Sequence, residues 1–211
     1  MSIELERIRE AVVLGNRDLT ATLVRKALGA GLPPGAIMSE ALIAGMDVVG
    51  QKYSTGEYFL PEMMVAALAM EEALSLLRPH LAQGNYRPRA RAIIGTVQAD
   101  IHDIGKNIVK MMMEGAGYEV VDLGVDVSPE AFLEAVRRQL PRFVLISSLI
   151  TLTMENMKKT VEAISASDLR ENVLIGVGGA PVTKEFADRI GADFYADDAR
   201  GCVLNCNRLT L

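Results

Sequence analysis

The sequence predicts an α/β protein in two parts: an N-terminal four-helix bundle, then a doubly wound, flavodoxin- or Rossmann-like parallel sheet of five strands. Three observations predict it. Up to about residue 82 the apolar residues recur at three- and four-residue spacing, as in Ile37, Ala41, Ala44, Val48 and again in Leu60, Met63, Met64, Ala67, Leu74, Leu77, Leu81. Beyond Pro88 the pattern switches to short, wholly apolar runs alternating with amphipathic stretches. Between them "AQGNYRPRAR" combines Gly, Pro and charge, which ends a helix and keeps a linker solvated.

In the first part, breaks at "LGNRD", "GAGLPPG" and "STGEYFLPE" divide the pattern into about four helices, with Asn16, Pro34 and Pro61 at their starts. Such a unit is satisfied by a four-helix bundle over residues 1–88. In the second part, residues 89–211, the strands are "RAIIGTV", "YEVVDLG", "RFVLISSLI", "NVLIGVGG" and the weaker "ADFYA". Strands without polar alternation must be covered on both faces, which implies a parallel sheet between helical layers.

With 211 residues, half of them apolar, the chain can bury a sizeable core. No run approaches the roughly 20 apolar residues needed to cross a bilayer, and "MSIELERIRE" is charged rather than signal-like, so a cytoplasmic protein without membrane contact is expected. Residues 1–88 carry 8 basic and 10 acidic side chains, and residues 89–211 carry 14 and 17. Neither half has the basic excess of a nucleic-acid binder. Cys202 and Cys206, four apart in an expected helix, are neighbours on one face but poorly placed for a disulfide.

Doubly wound sheets bind ligands beyond the carboxyl ends of their strands. Those ends carry "QADIHDIG", "DLGVDV", "SSLITLT" and "GGAPVT". His102 is one of two histidines in the chain and stands between Asp100 and Asp103. Gly178 and Gly179 leave a strand end free of side chains, as a slot for something flat or elongated would require. The hydroxyls of Ser147, Ser148, Thr151 and Thr153 lie along the same edge. Taken singly, each feature has an ordinary explanation: a surface or core histidine, a turn, or helix caps. Asp100 and Asp103 would also suit an acidic magnesium pocket, which leaves His102 and the glycines unexplained. His80, in "LLRPHLA", reads as a helix-end residue.

Together the features form a pattern: Asp100, His102 and Gly105 as D-x-H-x-x-G, 41 residues to Ser147 and Leu149 as S-x-L, then 28 to Gly178 and Gly179. This pattern resembles the signature of cobalamin-binding domains of the kind found in methionine synthase. "GEYFLPEMMVAA" is similar to the helical cap of corrinoid-dependent methyltransferases, and "DIHDIGKNIV", "VDLGVDV", "LITLTM", "GGAPVT" and "GAD" resemble the small corrinoid proteins of methanol, methylamine and methoxyaromatic metabolism. Departures are Ala99, where glycine usually precedes the aspartate, Thr153 in place of a serine, and the short C-terminal "CVLNCNRLTL".

The resemblance implies a cofactor, cobalamin or a related corrinoid, whose ring supplies the equatorial nitrogens of cobalt, so that one axial ligand, His102, is enough. Asp100 would accept a hydrogen bond from the other imidazole nitrogen and Thr153 would hold Asp100, a ligand relay suited to a cobalt that cycles between methylcobalamin, Co(III), and Co(I). The cofactor tail would enter the slot bounded by Gly178 and Gly179, with Ser147 near its base and Asp103, Ile104, Gly105, Leu149 and Thr151 around it. Phe59, Leu60 and Met63 would shield the opposite ring face.

The function so implied is a methyl carrier, not a complete enzyme alone, working between a substrate-specific methyltransferase and an acceptor methyltransferase acting on tetrahydrofolate or a thiol, with a corrinoid-reducing activase. The alternatives are a cobalamin-binding sensor, whose usual DNA-binding element is missing here, and the cobalamin subunit of a carbon-skeleton mutase, against which "GEYFLPEM" speaks.

Overall fold

The structure is a computed structural model in which residues 2–81 and 87–210 are described; half of the expected linker, residues 82–86, lies outside them. The chain divides into two compact units at Pro88–Arg89, with Glu114–Gly117 grouping with the first.

The first unit has α1 (Ile3–Val13), α2 (Arg17–Gly29), α3 (Pro34–Ala36), a π-helical stretch (Ile37–Ile43), α4 (Ala44–Ser54) and α5 (Leu60–Leu81). Local chemistry sets the starts. The Ser2 side chain accepts from Leu5 N–H and Asn16 from Leu19 N–H at 3.1 Å, each satisfying a donor the helix cannot use. Pro34 opens α3 and Pro61 is the second residue of α5, where a missing N–H costs nothing. Glu62 reaches back to accept from Phe59 N–H at 2.9 Å.

Two expected stripes are corrected. Because the π-helical stretch bonds to i+5 and turns the following residues onward, Gly45, Met46 and Val49 enter the core after Ile37 and Ala41, while Ala44 and Val48 are only half-buried. On α5 the core face is Met63, Ala66, Ala67, Met70, Ala73 and Leu77, and a second apolar face of Leu60, Met64, Val65 and Leu68 is exposed. A single helical stripe is narrower than the apolar content of this segment, so the excess lies outside.

The second unit is a five-stranded, wholly parallel sheet of order β2-β1-β3-β4-β5, from β1 (Arg91–Thr96), β2 (Glu119–Asp122), β3 (Phe143–Ser147), β4 (Leu174–Gly178) and β5 (Phe194–Ala196). Its helices are α6 (Ile104–Gly115), α7 (Pro129–Gln139), α8 (Met154–Ser165), α9 (Lys184–Ile190) and α10 (Ala199–Thr210). Ile93, Val144, Ile146, Ile175 and Val177 pack with Phe132, Val136, Met157, Val161 and Phe186 on one side. By strand alternation Phe143 points to the other, where it meets Tyr118 and Phe194 edge-on at 5.9 and 6.5 Å. Cys202 and Cys206 are both buried and unpaired on α10. A hydrogen bond with Cys202 and burial push the Cys206 thiol up, so it is held as the unreactive thiol. Chain order reverses between β1 and β3, which makes the carboxyl ends of these strands the place for a ligand. No helix among the described residues is long and apolar enough to cross a membrane.

Candidate functional site

The chain leaving β1 makes a tight loop, residues 97–103, before α6 begins at Ile104. Four bonds shape it. Thr96 Oγ1 donates to the His102 carbonyl at 2.9 Å, Asn156 Nδ2 donates to the Gln98 carbonyl at 2.8 Å, Ala99 N–H donates to Asp126 Oδ1 at 2.7 Å, and Asp126 N–H donates to the Asp100 carbonyl at 3.0 Å. Ala99 and Asp126 both sit at positive φ, 65° and 54°.

The loop turns the Asp100 carboxylate inward, with its side chain 0% exposed, and leaves the His102 imidazole 48% exposed. Asp100 Oδ1 accepts from the His102 backbone N–H at 3.1 Å and lies 2.7 Å from His102 Nδ1. Asp100 Oδ2 accepts from Leu149 N–H at 2.7 Å and from the Thr153 hydroxyl at 3.0 Å. Burial by itself would raise the carboxyl, but the Leu149 and His102 backbone donors, the imidazole and Thr153 outweigh it and hold Asp100 below the usual carboxylate range. A buried anion on Nδ1 fixes the tautomer with the proton there, and so leaves Nε2 with its lone pair free for a metal.

The loop and the segment that follows β3 also expose apolar side chains. Ile101 is 76% and Leu152 87% exposed, and Ile104, Leu149 and Ile150 are exposed beside them in sequence and fold. Large aliphatic side chains left in water at one edge of a sheet mark a surface that a ligand covers. Among the described residues no group of three or more His, Cys, Asp and Glu could hold a metal ion. The acidic magnesium pocket is thus absent: Asp100 is committed to His102, and Asp103 accepts from Asn107 Nδ2 at 3.0 Å.

Comparison with known proteins matches residues 90–203 to a B12 binding domain, and residues 4–78 to a second model that is also described as a B12 binding domain. The chain belongs to the B12-binding protein family. The trimethylamine corrinoid protein of Methanosarcina barkeri is 37% identical over 94% of this chain and 93% of that protein. The dimethylamine corrinoid protein of the same organism is 37% identical, covering 97% and 96%. Among solved structures, the methanol:cobalamin methyltransferase complex MtaBC from Methanosarcina barkeri matches with a TM-score of 0.87 at 29% identity, covering 98% of this chain and 79% of that one. A cobalamin-binding protein from Desulfitobacterium hafniense DCB-2 matches at 0.79 and 31% identity, covering 98% of both.

The cofactor of this B12-binding protein is cobalamin or a related corrinoid, and the residues present fit it. A corrin brings its own equatorial nitrogens, so one oriented imidazole on an apolar shelf is what the protein must add. Gly105 supports the fit: a β-carbon there would meet nothing within 4 Å and its φ is ordinary, so nothing in the chain itself excludes a side chain at this exposed position.

The expected residues fall into groups. Asp100, His102, Leu149 and Thr153 are joined by hydrogen bonds. Asp103, Ile104, Gly105 and Thr151 are exposed at the same edge, and Ser147, half-buried at the end of β3, takes no part in that network. Gly178 and Gly179 also have a requirement of their own within the chain. A β-carbon on Gly179, at φ 126°, would lie 1.9 Å from the Ser148 carbonyl oxygen, and one on Gly178 would lie 2.8 Å from that of Ala196. Neighbouring backbone, by its close approach, already demands glycine at both positions.

Phe59 and Leu60 belong to the helical unit, where both are exposed, Phe59 by 66%. Met63 is buried in the core of that unit and cannot share their role.

Ser148, one of the strand-end hydroxyls, lies 2.8 Å from Thr153 Oγ1, and two contributors were not singled out in the sequence: Asp126, and buried Lys106, whose ammonium lies 2.7 Å from both oxygens of Asp122. The last pair ties the first turn of α6 to the end of β2. Its signal was present as a lysine just after Gly105 and an acid closing an apolar strand.

Proposed function

We propose that the chain carries a methyl group between two enzymes: a methyltransferase that takes it from a small methyl donor, and a second that passes it to tetrahydrofolate or a thiol. When bound, the corrinoid supplies a cobalt able to accept and release that group. The observation that carries the reading is the pair of His102 Nδ1 and Asp100 Oδ1 at 2.7 Å, with the Asp100 side chain fully buried and the imidazole half exposed.

In this reading His102 Nε2 would be the protein's ligand to the cobalt, Asp100 would orient the ring and raise the electron density at Nε2, and Thr153 and Leu149 N–H would hold Asp100. Ile101, Ile104, Leu149 and Leu152 give up contact with water against the ring, a favourable burial of roughly 25 cal/mol per Å² of apolar surface. Thr151, Asp103, Ser147, Gly178 and Gly179 lie toward the nucleotide tail. Residues 1–88 form the cap domain, in which Phe59 and Leu60 protect the methyl group, and residues 89–211 the corrinoid-binding domain. A corrinoid-reducing activase returns the cofactor to service after accidental oxidation, and the setting is the cytoplasm.

Support for the methyl-carrying role comes from the relatives named as trimethylamine and dimethylamine corrinoid proteins and from the match to a methanol:cobalamin methyltransferase complex. The test is methylation of the reduced holoprotein, followed by loss of the Co(I) absorption band. It should be slow with methanol or methylamines alone and rapid on addition of the cognate methyltransferase. Fast, saturable methylation by such a donor without a second protein would refute the reading.

A further inference from the structure

Thr153 has one hydroxyl proton and three oxygens within reach: Asp100 Oδ2 at 3.0 Å, the Ile150 carbonyl at 2.9 Å and Ser148 Oγ at 2.8 Å. The carboxylate and the carbonyl can only accept, so Thr153 serves one of them at a time. The charge on Asp100 makes it the stronger acceptor, and the Thr153 proton goes there. Ser148 Oγ has two acceptors in reach, Thr153 Oγ1 at 2.8 Å and the Ile150 carbonyl at 3.3 Å; it donates to the nearer, Thr153, whose own proton is already used. Ser148 and Thr153 are both buried, at 0% and 3% exposure, so water does not stand in for either hydroxyl.

We propose that Ser148 is a further positioning residue for the axial ligand, acting through Thr153 and Asp100 on His102. The inference rests on His102 as that ligand and extends the relay by one hydroxyl. A hydroxyl that accepts a hydrogen bond becomes a better donor, so the Ser148 O–H strengthens the bond from Thr153 to Asp100. Negative charge drawn toward Thr153 is charge withheld from the His102 Nδ1 proton. Ser148 therefore moderates how strongly Asp100 pulls on the imidazole, and so how electron-rich Nε2 is.

Position 148 sets this without disturbing the fold, because alanine fills nearly the same space as serine. With Ser148→Ala the Ile150 carbonyl competes on better terms for the Thr153 proton. Asp100 then turns more of its charge to His102.

The test uses nitrogen NMR of the ring nitrogens in the corrinoid-free protein, at a pH above the ordinary histidine range. His102 and His80 are the only histidines in the chain, and His102→Ala assigns the signals. The expected result is a downfield shift of His102 Nδ1 in Ser148→Ala, a larger one in Thr153→Val, and no further shift when Ser148→Ala is added to Thr153→Val. Holoprotein of Ser148→Ala should in addition show a more negative midpoint potential for reduction to Co(I), because a richer axial ligand is harder to lose. An unchanged Nδ1 in Ser148→Ala would overturn the proposal, as would an equal shift with Thr153 already replaced. The shifts are read without corrinoid, so their failure bears on Ser148 alone. Failure of the axial-ligand reading would appear instead in the cobalt spectrum of His102→Ala.

Discussion

Ala99 N–H donates to the Asp126 carboxylate at 2.7 Å, and both residues stand in the left-handed region of backbone space. Two strained loops, one after β1 and one after β2, thus hold each other, and the first carries His102. A β-carbon at φ 65° costs about 1 kcal/mol that glycine does not pay. Ala99→Gly should leave stability unchanged or raise it by up to about 1 kcal/mol, since glycine's greater freedom in the unfolded chain offsets part of the gain. Asp126→Ala should lower it by about 1 to 2 kcal/mol and weaken corrinoid binding as the loop loosens. Urea unfolding of both variants checks this, and a destabilised Ala99→Gly would contradict the account of strain.

Replacing His102 should be visible at the metal. Protein reconstituted with hydroxocobalamin and reduced to Co(II) is expected to show nitrogen superhyperfine coupling in its electron paramagnetic resonance spectrum, from an axial imidazole. His102→Ala should change that coupling. Survival of the same coupling in the variant would exclude His102 as the ligand.

Acid should act through Asp100. Its carboxyl is held below its ordinary value in the folded chain, so its contribution to stability is fully present above the unfolded value and is lost as pH falls through the folded one. The gap in unfolding free energy between the parent and Asp100→Asn should therefore narrow below about pH 4. Denaturant titrations across that range measure it. A gap that stays constant with pH would show that the network on Asp100 does not favour the charged form.

Phe59 is exposed at the start of the helix that also exposes Leu60, Met64, Val65 and Leu68. If this face guards the methyl group, Phe59→Ala should speed photolysis of the methylated holoprotein while corrinoid affinity stays within about twofold, because the ligand and shelf lie elsewhere in the chain. Equal photolysis rates in the two proteins would remove Phe59 from that role.

Much of this was legible in the sequence, for reasons that differ by element. The apolar runs of β1, β3 and β4 became strands because a strand buried on both faces has no polar alternation to obscure it, while β2 and β5, at the sheet edges, are only partly buried. Asp100, His102 and Thr153 were legible only as a pattern, since the bond from Thr153 to Asp100 depends on β1 and β3 lying side by side. The stripe through Ala44 and Val48 was misplaced because a π-helical stretch has no sequence signature as plain as a proline or glycine. At Gly178 and Gly179 the sequence did not show a second requirement, the close carbonyls of Ser148 and Ala196, because only the folded sheet brings them near. Ser148 was legible as one of several hydroxyls but not as the partner of Thr153, because two adjacent serines on a strand end differ only in which way each one points.

The donors that hold Asp100 come from Leu149 and Thr153, 49 and 53 positions away along the chain. Modularity is therefore a property of the whole sheet. The peptide around His102, grafted onto another scaffold, would present an untethered imidazole whose ring spins and whose carboxylate faces water. Circular permutants cut in the connection between α7 and β3 would keep every partner, because the order of strands in space, and not the order of residues in the chain, assembles the ligand.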